Sequence, residues 1–395
     1  MRLPAWFAER AGPVPEESEI RVSTLELFFD LVFVFTITQL THLLVVGFGE
    51  DGHGTGHAVP IGESALRVLL VFGVMWWMYS GYVWLTNTIP PARPARRVLI
   101  LLGMAGFTIM ALSIPTAFDG SGVAFAIGYL LLVLVHAGLY LQATAAIVRV
   151  VPFNLAATAL IGVAGYLHGP WNYVLWAAAL VLVWGSPYFI GQKGFPLRAE
   201  HIVERHGLLV IVVLGESMLA IGIGAAGLAV DWGLGLAAVL GLALGAALWW
   251  VYFGGDDEVR AEHALRAAGQ ERRTRLILGA YFYAHIPMLL GVIAVAAGIK
   301  KLIGHPLSGM KPAAAVVLAA GVALFLAGDH WYRRLLAIPQ GGQRALVAVA
   351  ALATIPLGLW SGIVQIAVLV ALLVAMLALE GRRERAAVTD VAAGP

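Results

Sequence analysis

Residues Thr24–His42 read TLELFFDLVFVFTITQLTH. The run is apolar enough to cross a bilayer, yet it carries Glu26, Asp30, Gln39 and His42. Titratable groups on a membrane helix are expensive to bury and by default mark a working site. At a rise of ~1.5 Å per residue, Asp30 lies about 6 Å deeper than Glu26. Four residues apart, the two acids share a face that continues through Phe33, Ile37 and Thr41. Gln39 and His42 fall on a different face. The segment predicts an acidic site toward one end of a helix and a separate polar site toward the other.

The rest of the chain fits a membrane reading. Of its 395 residues 60% are hydrophobic and only 12% charged, with a mean hydropathy of +0.86. A soluble domain carries about 25% charge. The expectation is an all-α polytopic membrane protein, a single transmembrane domain over 1–395. The residues before Arg21 are polar and contain prolines, so no cleaved leader is expected and the first helix serves as its own insertion signal. With no cysteines, disulfides, Fe–S clusters and thiolate sites are excluded. No basic face for nucleic acid is visible. No cofactor is expected, and the partners foreseen are the lipid bilayer and a small solute, ion or lipid.

A helix needs ~20 apolar residues to span the hydrocarbon. Spans are expected near 24–46, 65–86, 98–117, 122–148, 154–168, 171–190, 204–226, 233–253, 275–299, 312–329, 344–360 and 362–380, twelve in all. Alternating loops then hold 21 of the 25 Lys and Arg residues on one side, which makes that side cytoplasmic. Both termini are expected there, as a segment over 1–23 and a tail over 381–395. Twelve spans divide into two parallel six-helix halves, 24–200 and 201–380, the second with a charged, helix-prone cytoplasmic loop over 254–274. Aligning Glu26 with Glu204 sets Thr38-Gln39 against Glu216-Ser217. The Gly-rich loop from Glu50 to His57, with Asp51, His53 and His57, has no rigid element to pre-organise ligands and reads as a solvated loop rather than a metal site.

Glu216 stands out. It lies twelve residues beyond Glu204, or about 18 Å along a helix, near the middle of a ~30 Å core. Ser217 follows it and Gly215 precedes it. A carboxylate there binds a cation, relays a proton, or hydrogen-bonds as helix glue. His136 and His285 are also mid-membrane, the second within YFYAHIPML. Asp329-His330, with Trp331 and Arg333 after them, reads as an interfacial anchor. Nucleotide-binding, H-E-x-x-H and G-x-S-x-G motifs are absent, and the lysines fall in or near loops.

The stretches LELFFDLVFVFTITQLTHLL at 25–44 and ERHGLLVIVVLGESMLAIG at 204–222 resemble the bacterial low-temperature-requirement A (LtrA) family. The stretch AYFYAHIPMLLGVIAVAAG at 280–298 is similar to a later segment of that family. The resemblance spans most of the chain and implies a multipass inner-membrane protein with a name linked to growth in the cold. It implies family-typical positions at Glu26, Asp30, Gln39, Glu204, Arg205, Gly207, Gly215, Glu216, Ser217 and His285, but no substrate or reaction.

Three functions are consistent with these residues. The first is a secondary transporter or ion pathway, proton or cation linked, with Glu216 as its mid-membrane carboxylate and Glu26 and Asp30 gating or guiding at the cytosolic mouth, running also through Ser217, Gln39, His136 and His285. In it Glu204, Arg205 and His42 gate or form salt bridges. The second is an intramembrane enzyme acting on a lipid or small hydrophobic molecule, with Glu216, His136 and His285 as acid–base groups. The third is a scaffold or cold-response protein whose polar groups only hold helices together. No metal site is expected in any of them.

Overall fold

A computed structural model describes residues 21–49, 59–191, 195, 197–339 and 341–392, with the side chains of Glu384 and of residues 387–392 left aside. The loop carrying Asp51, His53 and His57 lies outside the described residues. Those described form helices and connecting turns, with no strand among them. The helices are α1 (Thr24–Val46), α2 (Ile61–Thr88), α3 (Pro94–Ser113), α4 (Gly122–Tyr140), α5 (Val151–Ala164), α6 (Pro170–Ile190), α7 (Ala199–Gly224) and α8 (Trp232–Phe253). They continue as α9 (Asp257–Ala267), α10 (Gln270–Ile277), α11 (His285–Gly304), α12 (Pro312–Leu335), α13 (Gly341–Leu352), α14 (Ile355–Trp360) and α15 (Gly362–Ala392). A π-helical turn, Leu278–Tyr283, joins α10 to α11.

Among the described residues, 11 helical stretches are long and apolar enough to cross a membrane. The expected span at 154–168 is the exception. It is the 14-residue α5, too short to cross on its own at ~1.5 Å per residue. The expected span at 344–360 is interrupted, α13 ending at Leu352 and α14 starting at Ile355. The charged segment over 254–274 is helical, as α9 and the start of α10.

Two compact units make up the chain. The first comprises Met1–Gly47, Thr55–Val212 and Leu265–Leu278; the second comprises Phe48–Gly54, Val213–Ala264 and Gly279–Pro395. The division falls within α7, so one continuous helix contributes its first half to one unit and its second half to the other.

Each unit contains a helix pair brought together by glycine. In the first unit α3 packs on α4, and a Cβ on Gly106 would stand 2.8 Å from the Gly128 carbonyl oxygen, with the same distance in reverse. In the second α11 packs on α12, and a Cβ on Gly291 would stand 2.6 Å from the Gly321 carbonyl oxygen. No side chain fits at such a crossing, which is how helices in lipid gain van der Waals contact without a hydrophobic drive. The first unit also holds an aromatic core around α1. Phe29 stacks on Tyr82 at 4.9 Å, and Phe33 lies 4.3 Å from Tyr79.

Local signals place the helix ends. Ser23 caps α1 through a reciprocal capping box with Glu26, satisfying orphan backbone donors at both positions. On α6, Pro187 lacks the N–H that would bond Val183, and the Ser186 hydroxyl donates to that carbonyl instead at 2.8 Å.

Candidate functional site

The face of α1 predicted from spacing is the buried one. Glu26, Asp30, Phe33, Ile37 and Thr41 are each no more than 2% exposed. Buried carboxylates need partners, and the start of α7 supplies them. Arg205 places Nη2 2.8 Å from Asp30 Oδ1 and Nη1 3.8 Å from Glu26 Oε1. Tyr79 of α2 donates its hydroxyl to the same Asp30 Oδ1 at 2.8 Å. His201, one turn before Arg205, sets Nε2 3.0 Å from Glu26 Oε1.

Asn87 fixes how His201 meets that acid. Its amide pairs with the backbone of Arg198 in both directions: Nδ2 donates to the Arg198 carbonyl at 3.0 Å, and Oδ1 accepts from the Arg198 N–H at 2.9 Å. The orientation of the amide is therefore set, and the Nδ2 donor faces His201 Nδ1 at 3.3 Å. An imidazole nitrogen opposite a donor must accept, so His201 carries its hydrogen on Nε2 and donates it to Glu26.

The two acids end up in different states of coordination. Glu26 Oε1 accepts from His201, while Oε2 accepts from the Ser23 hydroxyl and the Ser23 N–H, both at 2.8 Å. Asp30 receives both of its donors on Oδ1. Asp30 Oδ2, Arg205 Nε and Arg205 Nη1 are buried with no hydrogen-bond partner among the described residues. With Asp30 deprotonated, two carboxylates face the single guanidinium of Arg205.

The other predicted residues are placed as follows. Glu204 is exposed on α7 and accepts from the Val22 N–H at 3.2 Å. Gln39 is half-buried and His42 exposed, so the second polar face of α1 does not turn into the core of its unit. Glu216 and Ser217 are buried in the second unit, and the Ser217 hydroxyl has no hydrogen-bond partner among the described residues. Lys300 exerts an attraction on Glu216. It stands in the last turns of α11, near the loop that follows. His285 uses both ring nitrogens, on the Tyr252 hydroxyl at 3.0 Å and the Ala280 carbonyl at 2.8 Å. His136 bonds the Gly81 carbonyl through Nε2 at 3.0 Å. Both histidines are thus engaged as helix-to-helix hydrogen bonders at these atoms.

A second charged cluster, unforeseen in the sequence, sits in the second unit. Asp329, expected at an interface, is 2% exposed. It pairs with Arg344 of α13 and with Arg333, whose Nε is 3.4 Å away. Arg344 also grips Glu380 of α15 with Nε at 3.2 Å and Nη2 at 3.1 Å, and donates to the Val251 carbonyl at 2.7 Å. Arg333 pairs with Asp257 and donates to the Pro339 carbonyl at 2.9 Å. What hides such clusters in a sequence is distance along the chain: Glu26 and His201 are 175 residues apart.

The chain is 30% identical over 337 residues to an uncharacterized protein of Rhizobium meliloti (strain 1021), covering 80% of this chain and 78% of that one. The family model for the bacterial low temperature requirement A protein matches residues 21–380, taking in both charged clusters and Glu216. The chain is a multipass membrane protein and belongs to the bacterial low temperature requirement A (LtrA) family.

Proposed function

We propose that this protein is a proton-linked secondary transporter or ion pathway of the inner membrane, and that Asp30 is the group that takes up and releases the proton. The observation that carries this reading is Asp30 Oδ2, buried without a hydrogen-bond partner among the described residues, as are Nε and Nη1 of Arg205. Glu26, with donors on both oxygens, is the fixed charge that holds His201 and Arg205 in place. A proton on Asp30 Oδ2 cancels the excess negative charge. Its loss strengthens the Asp30–Arg205 pair, so protonation and the packing of α7 on α1 are coupled.

Glu216 is the second station. It is buried on α7, 11 residues beyond Arg205 in sequence. Ser217, with its unused hydroxyl, adjoins it. Lys300 gives Glu216 a counter-charge in its deprotonated form.

The reading includes twelve spans in two parallel halves with both termini cytoplasmic. Several features of the helices support it. The glycine crossings Gly106–Gly128 and Gly291–Gly321 fall in the third and fourth spans of each half. The short α5 and the interrupted α13–α14 are the fifth span of each half. Shortened or broken hydrophobic segments at matching positions are a mark of repeat-built transporters.

The test is proton uptake into liposomes containing the purified protein, followed with an enclosed pH-sensitive dye. Asp30→Asn, which preserves shape, is expected to abolish uptake, and Glu216→Gln to reduce it at least tenfold. His201→Gln keeps a donor toward Glu26 and is expected to retain uptake. Wild-type uptake in Asp30→Asn overturns the assignment.

A further inference from the structure

The first unit has a cavity of about 600 Å³ that the proton pathway does not use. Its volume suits a small-molecule or headgroup-sized ligand. Pro187, Ile190 and Phe195 form an apolar wall, and Arg149, Glu271 and Arg275 supply charge at its rim. The rim is pre-organised: Arg149 Nη1 donates to the Ile190 carbonyl at 2.9 Å, fixing its guanidinium beside the apolar wall.

Helix α6 gives the depth of this cavity. Trp171 at its start and Tyr188 and Phe189 at its end are 66%, 74% and 80% exposed. Trp171 and Tyr188 are 17 residues apart, or about 26 Å along a helix. Aromatic side chains of this kind sit at the two membrane–water boundaries, and the hydrocarbon between them is ~30 Å thick. Tyr188 lines the cavity, so the cavity opens at headgroup level. A site there, apolar on one wall and bearing two planar cations against the single carboxylate of Glu271, a net positive lining, matches an amphiphile with a phosphate. Guanidinium forks bind phosphate oxygens in pairs, and the apolar wall takes the first carbons of the chains.

We propose that this cavity binds the phosphodiester headgroup of a membrane phospholipid, held by Arg149 and Arg275. Native mass spectrometry of the detergent-purified full-length protein, titrated with palmitoyl-oleoyl-phosphatidylglycerol, tests it. The wild type is expected to retain one lipid with an affinity at least about tenfold above that of Arg149→Gln/Arg275→Gln. Arg275→Gln alone, at an exposed position, provides the comparison if the double variant melts at a lower temperature, with at least about threefold weakening expected. Equal retention by wild type and variants overturns the proposal. So does equal binding of glycerol 3-phosphate, because the ligand would then be a soluble phosphate ester rather than a lipid.

Discussion

The two units contain buried charge clusters of similar ingredients and opposite finish. In the second unit Arg344 engages all three guanidinium nitrogens, on Glu380, Asp329 and the Val251 carbonyl. Arg333 pairs with Asp257 and donates to the Pro339 carbonyl, while its Nε, 3.4 Å from Asp329, has no hydrogen-bond partner among the described residues; Arg260 adds a further positive charge near Asp257. In the first unit, Arg205 has two nitrogens and Asp30 an oxygen with no hydrogen-bond partner among the described residues. A saturated network holds helices in one arrangement, whereas an unsaturated one retains capacity for a proton or a cation. On the proposed function, how fully the central arginine is engaged, completely for Arg344 and partly for Arg205, separates the structural site from the working one.

Truncation should break that comparison most sharply in the second unit. Arg344→Ala takes the guanidinium away from Glu380 and Asp329, leaving Asp329 only the Arg333 contact among the described residues, and removing one partner of a buried pair costs about 3–5 kcal/mol. We expect a large fall in the detergent melting temperature, and an unchanged melt would mean the lock is not structural. Asp30→Asn should do the reverse, leaving the melt within about 1 kcal/mol of wild type while proton uptake disappears. Comparable stability losses in the two variants would erase the distinction between the clusters.

The glycine crossings sharpen the comparison at the level of the fold. Gly106→Ala and Gly291→Ala should each cost about 1–3 kcal/mol through overpacking, and by similar amounts if the halves are true repeats. A loss at one and not the other, in matched thermal melts, would count against the repeat. His42→Ala is the smallest case. His42 is exposed on α1, and its removal should change stability by less than about 0.5 kcal/mol and leave proton uptake intact.

Much of this architecture was readable from the chain. Hydropathy located the long helices, and helical spacing identified the buried face of α1 through Glu26, Asp30, Phe33 and Ile37. The burial of Asp30 implied a basic partner. Arg205 stood among the residues expected to gate or form salt bridges, but its pairing with Asp30, and the roles of His201, Tyr79 and Asn87, were not readable, because these contacts join helices far apart in sequence. Asp329 was misjudged for a similar reason. At the end of an apolar helix, next to Trp331 and Arg333, it resembles a surface anchor until α13 and α15 bring Arg344 and Glu380 onto it. The shortness of the fifth span was legible, since the apolar run at 154–168 is itself brief, and the helix there is the 14-residue α5.

The long separation between Glu26 and His201 has a consequence for how the protein is made. The first helix enters the membrane carrying two acids whose partners lie on a helix synthesised 175 residues later. At about 5–20 residues per second of translation, that interval is roughly 10–35 s. During it, Glu26 and Asp30 must remain protonated, stay near the membrane surface or be sheltered by the insertion machinery. The nascent chain therefore passes through a stage in which its first helix is only loosely committed to the bilayer. Arrival of the seventh helix, with His201 and Arg205, is the event that anchors it.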